Sequence, residues 1–329
     1  MKSIPNNPFF LDSSKLMRNG FVGIPSMFMA PLCLDLDELD ADIAFIGMPY
    51  DLSCDVRTGT RYGPRGIREA STLNCYAFEG WYDPVRDENY LGEQWRVVDC
   101  GDIDVMHTYH TQSFANCEAA VRKILAKGAV PFVLGGDHAI TIPVLRAFDM
   151  YKDLCVVQFD AHLDFTKAPC GILEGHGSPM RRASEMAHVG KMIQIGIRGI
   201  GSSRKSDFDE ARAYGSTILT SRDVRQNGIE AVIDMVPKSE CYYITIDIDG
   251  LDPSIASGTG TPQPYGLYYE EVSGIIEGIT KLGDVVGVDL VEVAPVYDPN
   301  QQTAYYAAQI LLDAMSFILK ERERQIKFD

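Results

Sequence analysis

Metal-capable side chains follow apolar segments of this sequence, and their spacing indicates its chemistry. Asp160, His162 and Asp164 alternate in the fragment QFDAHLDF, at the exit of an apolar run that is predicted to be a buried strand. Asp247 and Asp249 alternate in the same way in TIDIDGLDP. Because residues two apart on a strand point to the same side, each set is expected to converge at the C-terminal end of its strand. Open α/β sheets place their sites at this end.

A third fragment, LGGDHAI, adds His138 and brings the candidate ligands to two histidines and four aspartates. Oxygen-rich sites with some imidazole suit Mn²⁺ better than structural zinc, which prefers cysteine. One octahedral ion takes at most six ligands and a catalytic ion keeps a position open, so six protein ligands fit two ions better than one. Two ions about 3.5–4 Å apart can hold a shared hydroxide.

Each fragment also has a structural interpretation. A single Asp-x-Asp pair at a strand end commonly forms a turn, and His138 could cap the following helix. The Asp160–His162–Asp164 set is harder to explain in this way, because three such groups at the end of an apolar strand are costly unless they are paired or metal-bound. Taken together, the fragments favour a metal site.

The composition narrows the class of protein. The chain has 329 residues, 46% of them hydrophobic, and a formal net charge of −16. The acidic balance argues against a nucleic-acid ligand and mildly favours a cationic substrate. No apolar run reaches the roughly 18 residues of a membrane span, and the first 20 residues lack a secretory pattern. Eight scattered cysteines without a CxxC pair favour reduced thiols in a cytoplasmic protein.

Strands and helices must position these residues. Apolar, β-branched runs, typical of strands, alternate along the chain with amphipathic stretches, typical of helices. This alternation predicts a parallel sheet covered on both faces. The predicted strands are 41–48, 95–101, 129–136, 154–160, 191–197, 216–220, 242–249 and 284–293. The predicted helices are 112–128, 140–151, 206–215, 228–236, 267–283 and 301–325. No linker or composition break divides this series, so residues 41–329 are predicted to form a single domain. Residues 1–40 are less regular and are predicted to be an arm over the domain or a neighbouring subunit, with a disordered tail as the alternative.

Several motifs together resemble those of the ureohydrolases, the arginase and agmatinase group. They are GGDHAIT, FDAHLDF, EGHGSP, DIDGLDPSIASGTGTP, DLVEVAP and the earlier RTGTRYGPRGIREAS. The resemblance runs in order from about residue 41 to the C-terminus. It implies the arginase-type fold, a three-layer α/β/α sandwich with an eight-stranded parallel sheet. It also implies a binuclear-metal hydrolase that cleaves a guanidino compound to urea and an amine by attack of a metal-bridging hydroxide.

The resemblance also implies roles for individual residues. One ion would take His138, Asp160, Asp164 and an aspartate of the later pair, and the other would take His162 and share bridging aspartates. The implied catalytic residues are Asp164 as proton acceptor, His176 in GHGSP as proton shuttle and Glu292 in DLVEVAP as partner of the guanidinium. Mn²⁺ is the expected metal, with Ni²⁺ as the alternative, because both fit the same ligands.

The amine half of the substrate stays open. Arginases carry an Asn two residues after the third ligand of the Asp-Ala-His motif, where this chain has Thr166. That departure, with GTGTP, favours the agmatinase-like branch and a substrate such as agmatine, a guanidino acid or a small alkylated guanidine. The aromatic residues of 73–84 and of TPQPYG (261–266) are expected to form bulky pocket walls. His107, His110 and His188 receive no role, and the first two are predicted to be isolated surface histidines.

Other interpretations remain open at this point. A zinc deacetylase on the same fold would use one metal, and the six ligands argue against it. A non-catalytic, metal-binding subunit that partners an active paralogue would be expected to lack a ligand, and none is lost. A formiminoglutamate or arginine hydrolase shares the metal core. The resemblance further implies a homo-trimer or homo-hexamer.

Overall fold

The structure, a computed structural model, describes residues 20–75, 80–168 and 171–328 and is built around one eight-stranded sheet. The strand order is β4-β1-β5-β10-β9-β6-β7-β8, and every neighbouring pair is parallel. The strands are β1 (Ile43–Met48), β4 (Val97–Asp102), β5 (Val130–Gly135), β6 (Leu154–Phe159), β7 (Val189–Ile197), β8 (Thr217–Thr220), β9 (Cys241–Asp247) and β10 (Asp284–Val291). All eight strands predicted from the sequence are confirmed, with ends that differ by at most two residues. A short antiparallel hairpin, β2 (Trp81–Asp83) and β3 (Glu88–Tyr90), lies outside this sheet and was not predicted.

Helices cover both faces of the sheet. They are α1 (Gly63–Ser71), α2 (His110–Ala126), α3 (Thr141–Arg146), α4 (Pro179–Ser184), α5 (Lys205–Tyr214), α6 (Ser221–Asn227), α7 (Ile229–Asp234), α8 (Tyr269–Leu282) and α9 (Gln302–Phe328). One apolar core packs α1 and α6–α9 against the sheet, and a second core packs α2–α5 against the opposite face. Strand β1 shows the division, because Ile43 and Phe45 belong to the first core and Ala44 and Ile46 to the second. The predicted three-layer α/β/α sandwich is confirmed.

The sequence missed three helices. Helix α1 lies in a stretch rich in glycine and arginine, but Pro64 stands at its N-terminal turn, where proline is well tolerated. Helix α4 also begins with a proline, Pro179, and has only six residues. Helix α6 begins at a capping box formed by Thr220 and Asp223. None of the described helices is long and apolar enough to cross a membrane.

The segment before β1 packs against the sheet edge. Met27 and Phe28 are fully buried, and the backbone N–H of Met27 donates to Asp99 Oδ2 at 2.8 Å. Asp99 is also paired with Arg68 on α1, whose Nε lies 2.8 Å from the carboxylate. The described part of the predicted arm, residues 20–40, is therefore tied to the same chain through a buried ion pair.

Candidate metal centre

The candidate site lies where four neighbouring central strands of the sheet end. In the order β5-β10-β9-β6, each strand contributes at its carboxyl end. His138 follows β5, Glu292 directly follows β10, Asp247 is the last residue of β9, and Asp160 directly follows β6. Parallel pairing therefore brings together residues that are up to 154 positions apart in the chain.

Two glycines allow the turn that carries His138. A Cβ on Gly135 would lie 2.6 Å from Val291 Cγ1, and one on Gly136 would lie 2.1 Å from the carbonyl oxygen of Tyr50. Asp137 then caps the following turn, since its side chain accepts a hydrogen bond from the backbone N–H of Ala139 at 3.0 Å. His138 is not the cap and stays available for another role.

Three carboxylates surround the imidazole of His138. Its Nδ1 lies 3.1 Å from Asp160 Oδ2, 2.9 Å from Asp164 Oδ2 and 3.3 Å from Asp247 Oδ2, and all four side chains are buried. None of these oxygens is aligned as an acceptor, so Nδ1 has no hydrogen-bond partner among the described residues. Converging oxygens around an unpaired ring nitrogen fit a cation held between them, and the donor set suits Mn²⁺ or Ni²⁺.

A second cluster adjoins the first. His162 Nδ1 lies 3.0 Å from Asp249 Oδ2 and 3.5 Å from Asp160 Oδ1. Asp160 thus presents one oxygen to His138 and the other to His162, and both triads (His138–Asp160–Asp164 and Asp160–His162–Asp249) have the spacing of metal ligands. Asp249 also accepts a hydrogen bond from Thr261 Oγ1 at 2.9 Å. All six ligands predicted from the sequence are therefore brought into two adjoining clusters.

Strand alternation does not produce this convergence, contrary to the expectation from the sequence. Strand β6 ends at Phe159, and the Asp160–Asp164 segment is a loop in which Asp164 has a φ of 50°. Buried amides hold this loop: Gln158 Nε2 donates to Asp160 Oδ2 at 2.6 Å, and Gln194 Nε2 donates to the carbonyl oxygen of Leu163 at 2.6 Å. Left-handed backbone is uncommon at a non-glycine residue, and these hydrogen bonds hold the loop in which Asp164 adopts it.

The side chains of the two clusters attract protons. Burial opposes protonation of His138, but the carboxylates, that of Asp160 first, outweigh it and raise its pKa well above the usual value. Burial also opposes protonation of His162, whereas the charge of Asp249 raises its pKa to about 12. Burial and the like charge of Asp160 raise the pKa of Asp164 to about 6. A divalent ion would compete with these protons, as expected for ligands that must be deprotonated.

Glu292 and His176 lie beside the two clusters. Glu292 is 2% exposed, so it is not the surface glutamate that its position after a strand would allow. Its Oε1 accepts a hydrogen bond from the backbone N–H of His138 at 2.9 Å and lies 3.5 Å from His176 Nδ1. Burial opposes protonation of His176, but the Glu292 carboxylate raises its pKa to about 9. Glu292 has a φ of 64°, a second left-handed residue at the site.

Several residues at the site were not singled out from the sequence. Asp137 accepts hydrogen bonds from the N–H and hydroxyl of Ser53 at 2.9 and 2.7 Å, and Ser53 Oγ in turn accepts from the backbone N–H of His176 at 3.0 Å. The sulfur of Cys54 lies near His176 and Glu292. Burial, reinforced by the charges of Glu292 and Asp137, raises the pKa of the Cys54 thiol, which disfavours its thiolate form. The Gly-Gly-Asp sequence before His138 could have indicated that Asp137 belongs to the site.

A cavity of about 320 Å³ opens onto the clusters. Thr166 lines it, as do Thr261 and Gln263 of the 261–266 segment. No aromatic side chain of the described residues lines it, so the expected aromatic walls are wrong for that part of the chain. Tyr265 lies instead over the guanidinium of Arg225, 4.2 Å from ring centroid to Cζ. Residues 76–79 of the other aromatic stretch lie outside the described residues.

His110 was predicted to be an isolated surface histidine, and that prediction is wrong. Its Nδ1 lies 2.7 Å from Tyr50 Oη and its Nε2 lies 2.8 Å from Glu174 Oε2. Glu174 is also paired with Arg146 and precedes His176 by two residues. His110 therefore ties the start of α2 to the loop that carries His176.

Comparisons with known proteins agree with this architecture. The sequence profile of the family described as "Arginase family" matches residues 41–316. The chain is 34% identical to a guanidinobutyrase of Pseudomonas aeruginosa over 90% of its length and 92% of that protein. It is 35% identical to an agmatinase of Neisseria meningitidis, over 92% of this chain and 94% of that one. The proclavaminate amidino hydrolase of Streptomyces clavuligerus superposes with a TM-score of 0.81 and 29% identity, over 92% of this chain and 99% of its own.

The fold, the two clusters and these matches define an arginase-family protein, and the chain belongs to that family. Within the family it is an agmatinase-like ureohydrolase, which confirms the resemblance of its motifs. Membership implies a binuclear divalent metal centre, and two metal-capable groups that share Asp160 are present to hold it.

Proposed function

We propose that the protein hydrolyses the C–N bond of a linear guanidino compound to urea and an amine. One observation carries the proposal. Asp160 joins the cluster of His138 to that of His162, while Glu292 is fixed beside both clusters at the cavity. A binuclear centre next to a buried carboxylate suits a cationic electrophile that water attacks poorly. The names of the guanidinobutyrase and agmatinase relatives support the same reaction class.

We assign the six clustered residues as metal ligands. His138, Asp160, Asp164 and Asp247 would hold one ion, and His162 and Asp249 would hold the other, with Asp160 shared between them. When bound, the two ions lower the pKa of water so that hydroxide is available at neutral pH. Mn²⁺ is the proposed metal and Ni²⁺ the alternative. Urea release by apo protein reloaded with each ion, with the bound metal counted, decides between them.

The remaining residues bind the substrate and move protons. Glu292 accepts hydrogen bonds from the guanidinium and offsets the repulsion between that cation and the metal centre. Asp164 takes the proton that water loses on attack. The leaving amine needs a proton, which His176 delivers from the cavity side, where it lines the pocket. The proton taken by Asp164 would then pass to His176 and restore both groups, and the second proton of the water would go to the released amine as the C=O bond of urea forms. Water and the guanidinium thus give urea and a protonated amine.

A panel of guanidines tests the proposal. Purified protein loaded with Mn²⁺ or Ni²⁺ should release urea from at least one linear guanidine and should bind about two ions per chain. The Asp160→Asn variant should lose both properties, because Asp160 belongs to both clusters. Absence of urea from every guanidine, with about one ion per chain, would overturn the assignment and favour a single-metal enzyme. Absence of urea with two ions bound would favour a non-catalytic subunit.

The organisation of the chain is proposed on the same basis. We propose a single catalytic domain over residues 41–329, supported by a sheet that runs from Ile43 to Val291, and an N-terminal arm over residues 1–40. We further propose a cytoplasmic homo-trimer or homo-hexamer. Light scattering after size-exclusion chromatography should give three or six times the chain mass, and a monomeric mass would contradict this.

A further inference from the structure

The charged groups of the cavity are all acidic or histidine side chains. None of the thirteen described residues that line it is lysine or arginine, and its titratable residues are Asp55, His162, Asp164, His176, Asp247 and Glu292. The two histidines, Asp164, Asp247 and Glu292 are already assigned to the metal centre, the guanidinium or proton transfer. The rest of the lining is hydroxyl, amide and glycine, apart from Asp55. Asp55 is therefore the charge that is left to meet the amine half of a substrate.

Asp55 lies in a loop whose conformation is fixed on both sides. The N–H of Gly59 donates to Asp51 Oδ2 at 3.0 Å, which closes the base of the loop. Ser53 is anchored to Asp137, and Cys54 Sγ lies 3.6 Å from Thr60 Oγ1. The position of Asp55 relative to the metal centre is thus set by hydrogen bonds to the turn after β5 and by contacts within the loop.

The cations nearest in sequence are engaged elsewhere. The guanidinium of Arg57 lies over the ring of Tyr297, with its Cζ 4.0 Å from the ring centroid. Arg61 is paired with Asp51. Lys167 and Arg204 each follow a lining residue, but neither lines the cavity. A carboxylate on the substrate would therefore meet Asp55 without a compensating cation from the described residues.

We propose that the substrate of this chain carries a positive charge on its amine half, and that Asp55 is the residue that selects for it. The inference rests on the proposed hydrolysis of a guanidino compound and narrows the substrate to a dication. The relative named guanidinobutyrase acts, by its name, on a guanidino acid, whereas the relative named agmatinase acts, by its name, on agmatine, so similarity alone does not decide the charge of the amine half. The net charge of −16 acts in the same direction as Asp55, because it attracts cationic substrates.

Three guanidines with the same four-methylene spacer isolate the charge of the tail: agmatine, which ends in an ammonium, pentylguanidine, which ends in a methyl group, and 5-guanidinopentanoate, which ends in a carboxylate. The wild-type holoenzyme should show the highest kcat/KM for agmatine and the lowest for the acid. The same order should hold in a series with a two-methylene spacer. Higher kcat/KM for the acid than for the amine would overturn this inference while leaving the proposed function intact. No urea from any of these guanidines or from the wider panel would instead count against the proposed function.

Variants of Asp55 separate its charge from the shape of the cavity. Asp55→Asn should lower kcat/KM for agmatine about fivefold, mainly through KM, since the ion pair is exposed to solvent. It should leave pentylguanidine unchanged, and Asp55→Arg should raise kcat/KM for the acid. Glu93→Gln removes an exposed carboxylate away from the cavity and is the matched control for net charge. If Asp55→Asn changed kcat/KM equally for all three guanidines, or if Glu93→Gln changed it in the same way as Asp55→Asn, the role of Asp55 would be overturned.

Discussion

The carboxylate of Glu292 accepts a hydrogen bond from the backbone N–H of His138 at 2.9 Å. The backbone N–H of Glu292 in turn donates to the carbonyl oxygen of Gly136 at 2.8 Å. The loops that follow β5 and β10 are therefore held together at the point where both enter the site. The residue proposed to bind the guanidinium is fixed relative to a proposed metal ligand, as a positioned reaction requires.

Glu292→Gln should lower kcat/KM by about a hundredfold or more, because loss of a buried charged partner costs several kcal/mol. The amide oxygen can still accept from His138, so the fold and the content of about two ions per chain should persist. Urea assays together with metal analysis measure both quantities, and Glu93→Gln serves as the control. Wild-type kcat/KM in Glu292→Gln would show that another group binds the guanidinium.

The two clusters should lose metal independently. Asp249 contacts His162 but is not among the carboxylates around His138. Asp249→Asn should therefore reduce the metal content from about two ions to about one and abolish urea release. Asp252→Asn makes the same chemical change in the same loop, outside both clusters, and should keep about two ions. Two ions in Asp249→Asn, counted by elemental analysis, would contradict the ligand assignment.

The sheet and the ligand positions could be predicted because both leave strong local signals. Fully buried parallel strands are continuous apolar runs, as in β5, and charged residues directly after them have few structural explanations. The six residues proposed as ligands lie together as expected from the sequence, and their role in metal binding stays a prediction. The reason given for their convergence was wrong, because Asp160–Asp164 is a loop set by hydrogen bonds from Gln158 and Gln194, which strand periodicity does not encode.

The walls of the cavity could not be predicted for a related reason. Asp55 lines the cavity because its loop is closed by Asp51 and is anchored through Ser53 to Asp137, a residue 84 positions further along the chain. The aromatic residues of these segments were misleading too, because composition does not show whether a side chain faces the cavity. Trp81 lies in a hairpin strand outside the main sheet, and Tyr265 packs on Arg225 instead of facing the metal centre.

A buried hydroxyl chain behind His138 should control metal affinity. His138 Nε2 lies 3.0 Å from Thr245 Oγ1, which is 3.5 Å from Thr141 Oγ1, and Thr141 donates to Asp289 at 2.8 Å. A proton held on Nε2 leaves Nδ1 free to bind a cation. Thr245→Val should therefore weaken metal binding by about 10- to 100-fold, although Thr245 is not a ligand. Thr280→Val, at a buried threonine on α8, is the control, and unchanged affinity in Thr245→Val by competition with a chelator would contradict the prediction.

The pairing of His176 with Glu292 should make the stability of the metal-free protein depend on pH. The pKa of His176 is about 9 in the folded chain against an ordinary value near 6.5, so the folded state binds the extra proton. Its contribution is fully present below about pH 6.5 and is lost as the pH rises through about 9. Because the side chain is 26% exposed, the contribution should be on the order of 1 kcal/mol. Unfolding of the chelated proteins in urea measures this contribution. The difference in the free energy of unfolding between wild type and His176→Asn should shrink as the pH rises over this range. Glu292→Gln should remove the same pH-dependent part of the free energy of unfolding. A difference that stays constant between pH 6 and 10 would show that the pair does not hold the proton.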